Sequence, residues 1–171
     1  MKAKILNLIA GTTFTMLTAV FMAAIGAPPV YAGDSKIYPG TMCVRWSGTN
    51  TPTYEFGAIG NPSSTWLYID CPAVHDVLGK NISSGWVGMI DQNYDADIRC
   101  RLTSVYRSGN AYTFWETPEL GSTGSSANPQ NISYGGVYSN GSTHYYYSCR
   151  IPPAFNGNVS RITSYQVNEV E

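Results

Sequence analysis

Charge is scarce in this chain. Only 12% of its 171 residues are Asp, Glu, Lys or Arg, about half the share of an ordinary globular domain. No basic run stands out, so the electrostatic footprint of a nucleic-acid-binding surface is missing. Histidine is limited to His75 and His144. There is no H-E-x-x-H zinc motif and no G-x-S-x-G nucleophile elbow. There is no Cys-x-x-Cys pair either, and the four cysteines are widely spaced, which argues against a structural zinc site. After residue 32 no apolar stretch approaches the ~20 residues of a spanning helix. No window carries a 3.6-residue apolar period, and no repeat of propeller or solenoid length is visible. Nothing in the sequence calls for a cofactor.

The one long apolar run is at the N-terminus. Lys2 and Lys4 precede a mostly apolar segment from Ile5 to Ile25, and Val30-Tyr31-Ala32 follows Pro28-Pro29. Basic start, apolar middle and small residues at −3 and −1 are the order of a secretory signal. The reading is a signal peptide over 1–32 and one domain over 33–171, with an uncleaved anchor as the alternative. The lysines and arginines after Ala32 number eight, against eleven acids, a balance of −3. The expected location is periplasmic or extracellular, with no membrane span left after cleavage.

All four cysteines, Cys43, Cys71, Cys100 and Cys149, lie after the signal. An even count in an exported chain predicts two disulfides, with three possible connectivities. Cys43–Cys71 with Cys100–Cys149 is the favoured map, because each cysteine falls in a predicted strand and these pairs stay nested along a meander.

The stretch Thr65–Val74, TWLYIDCPAV, is the clearest strand. Leu67, Ile69 and Cys71 alternate with Trp66, Tyr68 and Asp70. Pro72, with no N–H to donate, is expected to stop the ladder. Further strands are read at Thr41–Trp46, Tyr54–Ile59, Ala111–Thr117, Gln130–Gly136, Thr143–Arg150 and Arg161–Val170. Gly85–Asp91 and Ala96–Tyr106 read as a hairpin turning at Asp91–Asp95. Asn140-Gly141 reads as a turn, and Gly121–Pro129 as a surface loop. About nine short strands separated by turn residues predict an all-β domain. The favoured form is an antiparallel β-sandwich of jelly-roll or related Greek-key order, with an immunoglobulin-like sandwich as runner-up.

YPGTMCVRW, AIGNPSS, LYIDCPAV, IRCRLTSVYRSG, YYYSCRIPP and ITSYQVNE together resemble a group of exported bacterial proteins of unassigned function. That group has four cysteines and a Cys-Pro step. The resemblance spans almost all of residues 33–171. It implies export and a disulfide-containing β domain, and it brings no activity or catalytic residue with it.

Candidate sites follow from residue types. Trp66, Tyr68 and Asp70 share one strand face, and Tyr146 belongs to another strand's polar face. Flat rings stack on sugar faces while a carboxylate accepts hydroxyl hydrogen bonds, so these four form the candidate ligand surface. Trp46 and Trp115 are possible extensions. The bland reading of the same rings is ordinary packing at sheet edges. Asp91, Asn93, Asp95 and Asp97 place oxygens at alternate positions, as in a calcium loop. However, Ala96 stands where that loop needs glycine and Leu102 where it needs glutamate, so a polar turn is favoured over a metal. Asp70, Glu55, Glu116 and Glu119 are the acids a glycosidase pair would draw on, but no spacing selects two of them. His75 and His144 read as exposed loop residues. The N-x-S sequons at Asn81, Asn131, Asn140 and Asn158 read as chance matches in a chain rich in Asn and Ser.

The functional expectation is an exported, non-enzymatic β-sandwich that binds a glycan, a cell-surface polymer or a protein partner. The alternatives are a structural surface or coat component, and a secreted hydrolase with an unrecognised site.

Overall fold

The computed structural model describes residues 35–74, 81–138 and 143–169. The expected signal segment, His75 and the Asn140-Gly141 turn lie outside these. Among the described residues the chain forms twelve strands, one short 3₁₀ turn and no α-helix. The strands are β1 (Ser35–Pro39), β2 (Val44–Ser47), β3 (Thr53–Glu55), β4 (Ala58–Gly60), β5 (Leu67–Ala73) and β6 (Ile82–Ile90). They continue with β7 (Arg99–Ser108), β8 (Ala111–Glu116), β9 (Leu120–Gly121), β10 (Gln130–Val137), β11 (Thr143–Ile151) and β12 (Arg161–Glu169).

The strands pair into two antiparallel sheets. One runs β10-β6-β12-β4-β3, with β1 continuing beside β12 where β4 stops. The other runs β2-β5-β11-β7-β8, with β9 on the β8 side of β7. Neighbours are mostly not consecutive in sequence, and from β5 to β7 the chain alternates between the sheets. This is a β-sandwich of the jelly-roll or Greek-key kind expected.

The period-2 pattern decides which faces meet. Along β11, Tyr145, Tyr147, Cys149 and Ile151 are buried, while His144, Tyr146, Ser148 and Arg150 are not. Ile69 and Leu67 of β5, Leu102 of β7, and Ile162 and Tyr165 of β12 complete a core shared by both sheets. Tyr147 and Tyr165 pack edge to face across the layers, ring centres 6.0 Å apart. Each hydroxyl reaches the opposite sheet. Tyr147 donates to the Gln166 carbonyl at 2.8 Å, and Tyr165 to the Pro72 carbonyl at 2.7 Å. A buried phenol needs such a partner.

The sulfurs of Cys43 and Cys71 are joined, as are those of Cys100 and Cys149. The second bridge lies within the second sheet, and the first ties β5 of that sheet to Cys43, just before β2. Cys100 and Cys149 stand directly opposite in the β7–β11 register.

Four local readings need correction. Pro72 does not end its strand, because β5 runs on to Ala73 with Pro72 opposite Tyr146. Strand β2 has already stopped at Val44, opposite Asp70, so no neighbour on that side needs a donor from residue 72. Tyr54–Ile59 is a tight hairpin rather than one strand. Phe56 (φ 50°) and Gly57 (φ 82°) supply the two positive φ values of a type I′ turn. The expected first strand opens with a 3₁₀ turn at Gly40–Met42. Any side chain at Gly40 would collide with the Ile162 carbonyl. Finally, β6 and β7 do not form a hairpin, since they belong to different sheets. Their connection is a crossover, held by the side chain of Asp91.

Candidate functional site

The outward residues of the second sheet form a grid fixed by register. Val44, Asp70, Ser148 and Arg101 make one row; Pro72, Tyr146, Thr103 and Glu116 make the next. Beyond these lie His144, Val105 and Phe114. On the other side Tyr68, Arg150 and Arg99 form a further row. Three clefts open on this face.

The first is a cleft of about 530 Å³. Its floor and sides combine Val44, Pro72 and Val105 with Asp70, and the rings of Tyr112, Phe114, His144 and Tyr146 line it as well. Tyr112 and Phe114 are more than half exposed, and the His144 and Tyr146 rings lie nearly parallel with centres 6.3 Å apart. Asp70 has one buried oxygen, Oδ1, with no hydrogen-bond partner. Burial raises its pKa above the ordinary carboxylate value, and a hydrogen bond from Ser148 offsets part of that rise. Burial also raises the pKa of Tyr146, with the charges of Asp70 and Glu116 adding to it and Arg101 opposing. The Tyr146 phenol is therefore a protonated donor beside an acceptor.

The second cleft, about 280 Å³, lies between Trp46, Tyr68, Arg101, Glu116, Glu119 and Arg150. Trp46 meets Tyr68 edge to face at 5.8 Å. Glu119 is the hub of an ionic lattice. Its carboxylate lies 2.8 Å from Arg150, 3.6 Å from Arg101 and 3.9 Å from Arg99. Glu116 takes Arg101 at 2.9 Å. The hydrogen bond to Glu116 is the largest of the influences that raise the Arg101 pKa. The third cleft, about 360 Å³, is bounded by Trp66, Tyr94, Asp95, Asp97, Arg99 and Arg150. The Arg150 guanidinium sits 5.4 Å from the centre of the Trp66 ring.

Of the four predicted ligand residues, Tyr68, Asp70 and Tyr146 share one sheet face and Trp66 stands just before β5; the four are divided among three clefts. Asp70 and Tyr146 line the first, Tyr68 the second and Trp66 the third. Trp66 already carries a cation on one side of its ring. Trp46 faces this surface, but Trp115 does not: it packs on Tyr138 and Tyr106. His144 lies in β11 rather than in a loop.

Of the acids named from the sequence, Glu116 and Glu119 line the same cleft, bridged by Arg101. Glu116 and Glu119 are both held by arginines, Glu55 lies on the other sheet beside Arg161 at 3.9 Å, and Asp70 is the acid of its own cleft. The stretch Asp91, Asn93, Asp95 and Asp97, read as a polar turn in preference to a calcium loop, joins β6 to β7 across the two sheets. Among the described residues no cluster of His, Cys, Asp or Glu is arranged to hold a metal ion. Asp91 is fully buried. Its Oδ1 accepts from the Asn93 N–H at 3.0 Å and the Ser160 hydroxyl at 2.8 Å; its Oδ2 accepts from the Ile98 N–H at 3.0 Å and from the Ser122 hydroxyl. The Asn93 carbonyl oxygen accepts from the N–H groups of Asp95 and Ala96, and Asp97 pairs with Arg99 at 3.7 Å. The side-chain oxygens of Asp91 and Asn93 thus serve the backbone of a crossover between sheets.

Tyr112, Phe114 and Val105 were not singled out in the sequence. The available signal was the alternation in β8, where Tyr112, Phe114 and Glu116 occupy every second position.

No protein-family model matches the chain, and no curated protein matches it. Among solved structures, the CBM36-1 domain of a multidomain xylanase from the hindgut metagenome of Trinervitermes trinervoides is similar at 12% identity. That match has a TM-score of 0.48 and covers 81% of this chain and 99% of that one. A family two carbohydrate esterase from Cellvibrio japonicus is similar at 6% identity with a TM-score of 0.46. It covers 81% of this chain, which spans only 35% of the esterase. A mutant of a family 29 carbohydrate binding module is similar at 12% identity and a TM-score of 0.42, covering 81% and 92% of the two chains.

Proposed function

We propose that the chain is an exported, non-catalytic β-sandwich that binds a glycan in the Asp70 cleft. The observation that carries this reading is a cleft lined by four aromatic rings together with Asp70, an acid that has no cationic partner among the described residues. A volume of about 530 Å³ falls in the range of about 300–1,000 Å³ usual for small-ligand sites. Exposed rings at its rim offer faces for stacking on a pyranose. Asp70 accepts a sugar hydroxyl, and the Tyr146 phenol stands next to it as a donor. Two disulfides and a signal-like N-terminus support a place outside the cytoplasm.

The test is a glycan array followed by calorimetry on the ligands found. Phe114→Ala and Tyr146→Ala should each weaken binding about tenfold or more, with the fold intact by near-ultraviolet circular dichroism. Trp66→Ala should change it less than threefold, because that ring lies in another cleft under Arg150. Full binding by the first two variants would place the ligand elsewhere. Assembly of the free protein with rising concentration, and no glycan bound, would favour the structural-coat alternative.

A further inference from the structure

We infer that the sugar seated in the Asp70 cleft carries a protonated amine, placed between the Asp70 carboxylate and the surrounding rings. The inference rests on the glycan reading of this cleft and names the class of glycan.

Three observations converge. First, Asp70 has no cationic partner among the described residues. The arginines on the same face are engaged elsewhere: Arg101 with Glu116 and Glu119, Arg150 and Arg99 with Glu119. Arg107, at the far rim, lies 5.9 Å from the centre of the Tyr112 ring. Second, the Oδ1 of Asp70 is buried and makes no hydrogen bond. That oxygen is shut away from solvent, so the carboxylate is poorly solvated, and a neutral hydroxyl in the cleft would bring it no counter-charge as the ligand excludes water. An ammonium set against the part of the Asp70 side chain that lines the cleft supplies that counter-charge. Third, the cleft is lined by Tyr112, Phe114, His144 and Tyr146. Ring faces attract a cation, and more strongly once water is displaced. An anionic sugar is disfavoured by the same carboxylate.

The test is calorimetric titration with three oligosaccharides of equal length: glucosamine, N-acetylglucosamine and glucose oligomers. It is run at a pH where the sugar amine is protonated. The glucosamine oligomer should bind at least about tenfold more tightly than either neutral one, and the preference should shrink with added salt. Asp70→Asn, which preserves shape and removes the charge, should abolish the preference. Phe114→Leu should keep the preference while weakening all binding, which separates the charge from the walls. Equal binding of the three oligomers, or a preference that survives in Asp70→Asn, overturns the amine inference and leaves the glycan reading standing. Failure of all three to bind, in protein whose fold is confirmed by near-ultraviolet circular dichroism, overturns both.

Discussion

The phenol oxygen of Tyr147 occupies the space that a side chain at Gly85 would need. A Cβ built on Gly85 would collide with that oxygen and lie 2.5 Å from the Gln166 carbonyl, which accepts the Tyr147 hydroxyl proton. Gly85 of β6 therefore lets a tyrosine of the second sheet reach through to the backbone of the first. The glycine is a packing requirement of the sandwich rather than a turn.

Gly85→Ala should destabilise the fold by about 2–4 kcal/mol, the sum of an overpacked core and a displaced buried hydrogen bond. Urea denaturation checks this through a lower midpoint with an unchanged slope. Gly135, whose Cβ would meet nothing within 4 Å, is the control, and its alanine variant should lie within about 1 kcal/mol of the parent.

Three tyrosines should resist alkaline titration. Burial pushes the Tyr134, Tyr147 and Tyr165 phenols far above the ordinary value of 10.0. A raised folded-state pKa means that stability is complete below the unfolded value and falls as pH rises above it. Absorbance at the tyrosinate band follows the ionisation as pH is raised. The three buried phenols should then ionise together in a cooperative step that coincides with unfolding by circular dichroism.

Asp70 should lower stability at neutral pH. Its pKa is raised from 3.8, mainly by burial, so the folded form holds the proton more tightly than the unfolded chain. The stability linked to that proton is present below pH 3.8 and declines as the group ionises. Asp70→Asn should therefore raise the melting temperature at neutral pH and have little effect below pH 3.8. Melting curves of both proteins at the two pH values test this, and a larger gain in acid would contradict it.

Asp91 should matter to folding and not to metal. Asp91→Ala removes the acceptor of the Asn93 N–H and of the Ser122 and Ser160 hydroxyls, and leaves the Ile98 N–H with the Ser122 oxygen alone. A loss of about 3–5 kcal/mol is expected. Calcium and a chelator should each leave the melting temperature of the parent protein unchanged, and a rise with calcium would restore the metal reading.

The two disulfides should contribute almost equally. They close loops with sequence separations of 28 and 49, and loop entropy grows only logarithmically, giving about 3.5 and 4 kcal/mol. Serine replacement of either pair, read by denaturant unfolding, should show similar losses.

The sequence by itself determined the fold class and which side chains share a face. Alternation along β5 and β11 is a local property, so Asp70 and Tyr146 could be read as outward residues before any pairing was known. The favoured cysteine map also matches the two pairs the structure joins, although Cys43 sits just before β2 rather than within a strand. Tertiary structure alone decided which strands become neighbours, because that depends on apolar faces meeting across long separations. Hence β6 and β7, which read as a hairpin, lie in different sheets. Tyr112 and Phe114 come to the Asp70 cleft from β8, about forty positions further along the chain. The acid-rich stretch at Asp91 has the composition of a cation loop. Its role became legible only when Ser122 and Ser160, distant in sequence, were seen donating to the same carboxylate.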